Sequence, residues 1–139
     1  MVSGSVGRMR IRKAKIEDLE DIKRMDEISL EAHHSMVYLK RYRNNILVAV
    51  EGQKVVGYFM FKDEIAMNLV IRPDYRKRGI GKMLVKEAMK KSKRFISRTR
   101  EDNVDALEFL KHLGFKYKRN IENYYKNGDN AIEMEWKKT

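Results

Sequence analysis

The sequence predicts a mixed α/β fold in which strands predominate and one helix follows the fourth strand. Strand-like and helical patterns alternate along the chain, with neither a linker nor an internal repeat between them. The length of 139 residues, with 42% hydrophobic residues, suits one globular domain with a modest core. We therefore expect a single domain over residues 9–139, and we interpret the Ser/Gly-rich residues 1–8 as a flexible leader, a vector remnant or an upstream start.

The first half of the domain reads as strand, helix, helix and hairpin. Residues 9–16 alternate apolar and polar side chains as a strand does, and residues 19–28 carry apolar side chains at helical spacing. A weaker helical pattern covers residues 35–43. Two apolar runs, residues 45–50 and 54–61, flank the tripeptide Glu-Gly-Gln and predict a hairpin.

The middle of the domain reads as strand, helix and strand. Residues 65–71 form another apolar run, and Pro73 ends it. An apolar stripe at helical spacing runs along residues 80–89, and residues 94–99 again have strand character. This is the helix that interrupts the succession of strands.

The last part of the domain reads as one helix and two strands. Asn103 is a typical N-cap, and Gly114 is a typical end of the helix that follows. The turn Lys-Asn-Gly-Asp-Asn joins two final strands, residues 117–125 and 131–136.

Positive charge is concentrated in one segment. The chain has a net charge of +11, and residues 76–100 hold eleven basic residues against the single acid Glu87, which gives +10. Residues 17–31 are mainly acidic. A focused cationic segment is typical of a site that meets a polyanion, although a solvated helix face would show the same run of charge.

Composition excludes several classes of protein. Because the chain has no Cys, it has neither disulfides nor thiolate metal sites. No apolar run approaches the roughly 20 residues needed to cross a bilayer, and the N-terminus lacks the apolar core of a signal peptide, so we expect a cytoplasmic protein that contacts no membrane. His33 and His34 diverge by about 100° on a helix and lack a third ligand at fixed spacing, so we expect loop or acceptor-groove residues and no metal site.

The connection between the fourth strand and the next helix carries the candidate ligand site. The N–H groups of a helix's first turn have no intrahelical partner, and the helix dipole adds roughly half a positive charge there. Gly79 and Gly81 leave this backbone open to the oxygens of a ligand, and basic side chains surround it: Arg76, Lys77, Arg78 and Lys82. We predict a pyrophosphate-binding loop, whose spacing is neither that of a P-loop nor that of a dinucleotide fingerprint.

With these residues the chain resembles the GNAT superfamily of acyl-CoA-dependent N-acyltransferases. The superfamily's pyrophosphate signature is Gln/Arg-x-x-Gly-x-Gly/Ala after a strand that ends near Pro-x-aromatic. In this chain Arg76, Gly79 and Gly81 stand at the signature positions, and Pro73 and Tyr75 precede them.

Two further segments carry the same resemblance. The pattern Asn-x-x-Ala followed by Gly-Phe matches Asn103, Ala106 and residues 114–115. The tail, residues 123–134, is similar to the closing hairpin of the branch that acetylates protein N-termini, including the ribosomal-protein alanine acetyltransferases. The resemblance covers residues 9–136 and implies a mostly antiparallel central sheet of about seven strands with about four helices.

The resemblance implies acetyl-CoA as the donor and no metal. The pantetheine arm would pair with the backbone of Leu69, Val70 and Ile71 as an added strand does, although a buried strand would look the same in sequence. Asn103 would contact this arm, cap its helix, or do both. The pyrophosphate would lie beside Arg76 and accept hydrogen bonds from the loop and the first helical turn: Lys77, Arg78, Gly79, Ile80, Gly81 and Lys82.

The implied chemistry is attack of a primary amine on the thioester carbonyl. The family's usual tyrosine and carboxylate positions hold Leu110 and Arg98 here. Glu64, at the entrance to the fourth strand, is our candidate for a base that acts through water. Tyr124 or Tyr125 is our candidate for shaping the acceptor pocket or supplying a proton, although an exposed turn carboxylate and a cross-strand aromatic pair would look the same.

Two functions stay open at the level of sequence. The first is an acetyl-CoA-dependent N-acetyltransferase that acts on a protein N-terminus or a small amine. The second is a non-catalytic module that senses CoA, or that holds nucleic acid or the ribosome on its basic face. Only Tyr75 and Phe95 flank the basic residues 76–100, fewer aromatic side chains than a nucleic-acid binder interleaves. We therefore prefer the enzyme, as a monomer or a homodimer.

Overall fold

A computed structural model of the protein describes residues 9–28 and 34–139. Within these ranges the strands are β1 (Met9–Lys13), β2 (Ile46–Glu51), β3 (Lys54–Lys62), β4 (Ile65–Ile71), β5 (Arg94–Arg100), β6 (Lys116–Ile121) and β7 (Ala131–Lys137). The helices are α1 (Leu19–Glu27), α2 (Met36–Arg41), α3 (Ile80–Lys90) and α4 (Val104–His112). The interpretation of residues 1–8 as a leader and the prediction for His33 concern residues outside the described ranges.

The strands form one mixed, mostly antiparallel seven-stranded sheet in the order β1-β2-β3-β4-β5-β7-β6, which confirms the predicted α/β class. The chain divides into two compact units. The first unit comprises the described residues up to Lys62 together with Met67–Ala88, and the second comprises Asp63–Ala66 together with Met89–Thr139.

The first unit is built on the antiparallel strands β1, β2 and β3. The turn between β2 and β3 contains Gly52, whose φ of +62° lies in the left-handed region that glycine adopts without strain. Helix α1 turns Leu19, Ile22 and Met25 into the core, where each is at most 1% exposed. The helical spacing of these apolar residues therefore reflects burial on one face.

Helix α2 also belongs to the first unit and is shorter than predicted. The Ser35 hydroxyl accepts a hydrogen bond from the Tyr38 N–H at 3.1 Å and caps the helix. The helix ends at Arg41, and a 3-10 turn, Arg43–Asn45, leads into β2. The rings of Tyr38 and Tyr42 pack against each other, with the ring centres 4.5 Å apart.

The second unit is built on β5, β7 and β6, which pair antiparallel in that order. The start of β4 joins β5 in parallel, with Ile65 opposite Ile96 and Ala66 opposite Ser97. Asn103 caps α4, and Gly114, with a φ of +98°, ends it as predicted. The apolar interior of this unit includes Phe95, Ile96, Leu110, Leu113, Phe115 and Met134.

Two predicted strands were too long. β1 ends at Lys13 rather than at residue 16, because the Asp18 carboxylate accepts the Lys15 N–H at 2.6 Å and starts a 3-10 turn. β6 ends at Ile121 rather than at residue 125, because Asn123 adopts a φ of +53° and the chain turns there.

Candidate active site

The connection between β4 and α3 is a short, anchored loop in the first unit. β4 ends at Ile71, and the 3-10 turn Pro73–Tyr75 follows. Arg72 fixes the start of the loop, since its backbone N–H donates to the Val56 carbonyl at 2.9 Å and its Nε to the Val55 carbonyl at 2.7 Å. The loop therefore leaves β4 in a defined direction before α3 begins.

The first turn of α3 follows directly after Gly79. The Met83 N–H donates to the Gly79 carbonyl at 3.0 Å, so the N–H groups of Ile80, Gly81 and Lys82 precede the first bond of the helix. Gly79 is exposed and has a φ of +81°, and a Cβ added to it would meet no described atom within 4 Å. The approach to the helix N-terminus is therefore open at Gly79.

Exposed cationic side chains surround this helix end. Arg76, Lys77, Arg78 and Lys82 are all exposed. The Arg76 Nε donates to the Ile71 carbonyl at 3.3 Å, and the Arg78 Nη2 donates to the Asp74 carbonyl at 3.0 Å. Two of these four cations are thus tethered to the loop's own backbone, which holds them near it.

Tyr75 contacts Arg78 of the same loop. The Arg78 guanidinium lies 4.7 Å from the centre of the Tyr75 ring, a cation–π distance. The Tyr75 hydroxyl donates to Glu51 Oε1 at 2.8 Å, and this hydrogen bond raises the pKa of the phenol. Tyr75 therefore stays protonated and joins the loop to the end of β2.

The predicted donor strand, Leu69, Val70 and Ile71, lies close to β3. Gly57 of β3 makes this approach possible, because a Cβ there would stand 3.2 Å from the Val70 carbonyl oxygen and 2.7 Å from the Ile71 Cδ1. Sequence analysis missed Gly57, although a glycine inside a strand is a signal of close backbone approach.

Asn103 lies in the second unit and performs one of its two predicted roles. Its Oδ1 accepts the Ala106 N–H at 3.2 Å, so it is an N-cap of α4. Contact with a pantetheine arm stays a prediction.

Glu64 lies in the second unit, at the turn that precedes β4. Asp63 and Glu64 have φ values of +51° and +71°, as a two-residue type I′ turn requires. The Glu64 side chain is exposed, and its Oε1 lies 3.6 Å from the Arg94 Nη1. The structure thus gives this carboxylate a cationic neighbour that sequence analysis did not predict.

Tyr124 lies in the loop between β6 and β7 and not on a strand. It is 44% exposed, and its ring packs edge-on against Tyr125 with the ring centres 5.0 Å apart. The Arg98 guanidinium lies 5.9 Å from the Tyr124 ring. The two tyrosines are therefore neighbours in a loop, and not the cross-strand pair considered as the alternative.

Arg98 belongs to an ion-pair group that sequence analysis missed. Arg98 faces Glu133 in the β5–β7 register, and its Nε donates to Glu133 Oε1 at 2.9 Å. The Arg119 Nε donates to the other carboxylate oxygen at 3.2 Å. The pKa of Glu133 is lower than usual, and the hydrogen bond from Arg119 is the largest cause. Arg98 lowers the pKa further, while burial acts in the opposite direction without cancelling the two arginines. Glu133 is therefore an ionised carboxylate that balances two arginines.

The part of the chain that the structure describes contains neither a membrane-spanning helix nor a metal-binding group of side chains. Between residues 9 and 28 and between 34 and 139, no helix is long and apolar enough to span a membrane. The same residues contain no group of three or more His, Asp or Glu side chains placed to hold a metal ion.

Comparison with known proteins shows to which class of protein this chain belongs. Residues 22–117 match the family described as acetyltransferase (GNAT) domain. An N-alpha-acetyltransferase of Sulfurisphaera tokodaii is 26% identical over an alignment that covers 90% of each chain. The chain also has the fold of Ard1 from Thermoplasma volcanium, with a TM-score of 0.82, 20% identity and coverage of 95% and 99% of the two chains. For Arabidopsis thaliana NAA60, solved in complex with acetyl-CoA, the TM-score is 0.84, the identity 15% and the coverage 94% and 99%.

The family match over residues 22–117 makes this chain an acetyltransferase. The chain belongs to the GNAT family of acetyltransferases, and the sequence-based prediction of family and enzyme class is confirmed.

Proposed function

We propose that this enzyme takes an acetyl group from acetyl-CoA and transfers it to the α-amino group of a protein N-terminus. The N-alpha-acetyltransferase relative supports this acceptor, and the NAA60 structure with acetyl-CoA supports this donor. The observation within this chain that carries the proposal is the open, cationic start of α3.

The geometry of the first unit fits the donor's diphosphate. Diphosphate oxygens need N–H donors and positive charge, and the first turn of α3 offers both beside Arg76, Lys77, Arg78 and Lys82. The donor's pantetheine arm carries amide groups that pair with strand backbone, and we propose Leu69–Ile71 as that backbone. Bound acetyl-CoA supplies the thioester carbonyl that the acceptor amine attacks.

An α-amine is deprotonated at a lower free-energy cost than a lysine side chain at pH 7. The attacking nitrogen must be neutral, and an α-amine with a pKa of about 7.7–8.0 loses its proton at pH 7 for about 1–1.4 kcal/mol. A lysine with a pKa of about 10.4 needs about 4.6 kcal/mol. A single weak base therefore suffices for a protein N-terminus.

The residues with the remaining predicted roles lie in the second unit, and their roles stay proposals. Glu64 stays a candidate for the base that acts through water, and Tyr124 for a proton donor or part of the acceptor pocket. Asn103 stays a candidate contact of the pantetheine arm. Contact of the basic segment with nucleic acid or the ribosome, a cytoplasmic location and the choice between monomer and homodimer also stay predictions.

The test uses peptides and mass spectrometry. The protein is incubated with acetyl-CoA and a peptide that has a free N-terminus and no lysine, and the control peptide has a blocked N-terminus and one lysine. We expect acetylation of the first peptide, release of free thiol at the same rate, and little modification of the second. Modification of the lysine peptide alone would show that the acceptor is wrong.

A further inference from the structure

A buried polar cluster in the first unit has no role in the donor site described above. It joins Asp26 of α1, His34 before α2, Tyr58 of β3 and Asn68 of β4, and we call these four residues the Asp26 cluster. A buried carboxylate within a core of aliphatic side chains is costly unless it is hydrogen-bonded, so the cluster needs an explanation.

Asp26 is the centre of the cluster. It is 0% exposed, and its two oxygens accept three hydrogen bonds. Oδ2 accepts the His34 backbone N–H at 2.5 Å, while Oδ1 lies 3.1 Å from the His34 Nδ1 and 3.0 Å from the Tyr58 hydroxyl. Burial, together with the Asp26 charge, raises the pKa of Tyr58 far above its usual value, so this phenol stays a donor to Asp26.

His34 is anchored to Asp26 through its backbone N–H and through Nδ1. In the tautomer in which Nδ1 donates to the Asp26 Oδ1, Nε2 carries the lone pair. The Tyr38 ring stacks on the imidazole, with the ring centres 4.8 Å apart, and the Lys23 Nζ donates to the His34 carbonyl at 2.6 Å. The His34 side chain is 11% exposed to solvent, whereas the Asp26 side chain is fully buried.

Asn68 connects the cluster to the proposed donor strand. It immediately precedes Leu69 on β4, and its amide lies near enough to the Tyr58 hydroxyl to oppose the rise in that group's pKa. The polar cluster thus ends on the strand where the thioester is proposed to lie, within the same unit.

We propose that His34, oriented by Asp26, is the base that takes the proton of the acceptor ammonium; this inference rests on the proposed function. The ammonium gives one proton to the His34 Nε2, and the neutral nitrogen attacks the thioester carbon. The carbon–sulfur bond then breaks, the CoA thiolate takes the second proton from the nitrogen, and His34 releases its proton to water. The products are an acetylated amine, CoA with a free thiol and one proton.

Glu64 competes with His34 for this role, and the two differ in their surroundings. Glu64 lies on an exposed turn of the second unit, where its Oε1 is 3.6 Å from the Arg94 Nη1. The Asp26 Oδ1 lies 3.1 Å from the His34 Nδ1, the arrangement that orients a catalytic imidazole. Among the described residues Asp26, Lys23 and Tyr38 contact His34, and Tyr58 contacts Asp26.

The test replaces the imidazole and keeps the hydrogen bond. In His34→Asn the side-chain amide can still donate to Asp26, but no group replaces Nε2. We expect kcat/KM for the free N-terminal peptide to fall about 10²–10⁴-fold, with the Kd for acetyl-CoA unchanged. We also expect the acid limb of the kcat/KM profile to move up to the acceptor's own pKa, about 7.7–8.0, because the amine must then arrive neutral. His34→Gln is a second variant in case His34→Asn does not fold.

Two matched variants and the wild type complete the experiment. His112→Asn makes the same replacement on an exposed histidine at the end of α4, and we expect wild-type rates from it. Glu64→Gln tests the competing candidate base in the same assay. A folded His34 variant with wild-type rate and pH profile, or a large loss in Glu64→Gln alone, would overturn the role of His34. A wild type that binds acetyl-CoA but acetylates no N-terminal peptide would instead overturn the proposed function, and this inference with it.

Discussion

At the residue scale, Glu133 shows how one buried charge is accommodated in the second unit. Its side chain is 2% exposed, and it receives hydrogen bonds from both Arg98 and Arg119. The cost of burying a carboxylate is offset only while both guanidinium groups contact it, since an unpaired buried charge is strongly destabilising. The group therefore joins β5, β6 and β7 by side chains as well as by backbone.

Replacing Glu133 should lower stability in a pH-dependent way. Glu133→Gln leaves two arginines without their carboxylate, and we expect the free energy of unfolding at pH 7 to fall by about 1–3 kcal/mol. The folded-state pKa of Glu133 is lowered, so its contribution is present above the unfolded pKa of about 4.3 and is lost as the pH falls through the folded value. The deficit of the variant should therefore shrink below about pH 4.

Urea unfolding at pH 7 and at pH 3 measures this difference. Glu122→Gln is the matched control, because Glu122 is an exposed glutamate close to the same strands. An equal deficit for Glu133→Gln at both pH values would mean that the side chain contributes by packing and not by charge.

The sequence could not reveal such side-chain clusters. Asp26 and Tyr58 are separated by 32 positions and Arg98 and Glu133 by 35, and the fold alone brings each pair together. Hydrophobic periodicity reports which face of an element is buried, but it does not report which polar side chains meet there. The Asp26 cluster and the Glu133 ion pairs were missed for this reason, although His34 had been noted.

At the element scale, the strand–loop–helix connection was predictable because its signals are local. Pro73 ends β4, basic residues and glycines follow at once, and the apolar stripe of α3 begins at Ile80, whose side chain is 3% exposed. β6 was predicted too long because Tyr124 and Tyr125 favour strands by propensity, whereas the turn at Asn123 depends on a hydrogen bond from its N–H to the Asn130 Oδ1. Local sequence signals therefore predicted most element positions correctly. The end of β6 was the exception, because it depends on a contact between two residues on opposite sides of the loop.

The openness of the loop can be tested with a pair of glycine substitutions. Gly79→Ala places a methyl group in the space in front of the first turn of α3, and we expect the Kd for acetyl-CoA to rise about tenfold, or about 1.4 kcal/mol. Gly52→Ala is the matched control, because Gly52 also has a positive φ and no described atom within 4 Å of an added Cβ. Both variants should lose about 1–2 kcal/mol of stability from backbone strain.

Isothermal titration of acetyl-CoA into both variants separates strain from binding. We expect a weaker affinity for Gly79→Ala alone. Equal affinities would mean that the donor does not approach the loop at Gly79.

At the scale of the whole molecule, positive charge is concentrated in the segment that contains the proposed diphosphate site. Residues 76–100 account for +10 of the net charge of +11, so the remainder of the chain contributes about +1. This segment includes the loop and the helix proposed to hold the donor's diphosphate. CoA carries about four negative charges, and a cationic segment raises the local concentration of such an anion while salt reduces the effect.

The most direct test of the account is a thermal-shift titration of the wild type with acetyl-CoA, CoA and ATP in parallel at moderate salt. A ligand at about 100 times its Kd adds roughly 2.7 kcal/mol of stability, which raises the Tm by several degrees in a domain of this size. We predict that acetyl-CoA and CoA raise the Tm and that ATP does not, because only the first two offer both a diphosphate for α3 and a pantetheine arm for β4. No shift with any ligand, or an equal shift with ATP, would contradict the claim that this segment is a donor site and not merely a basic surface.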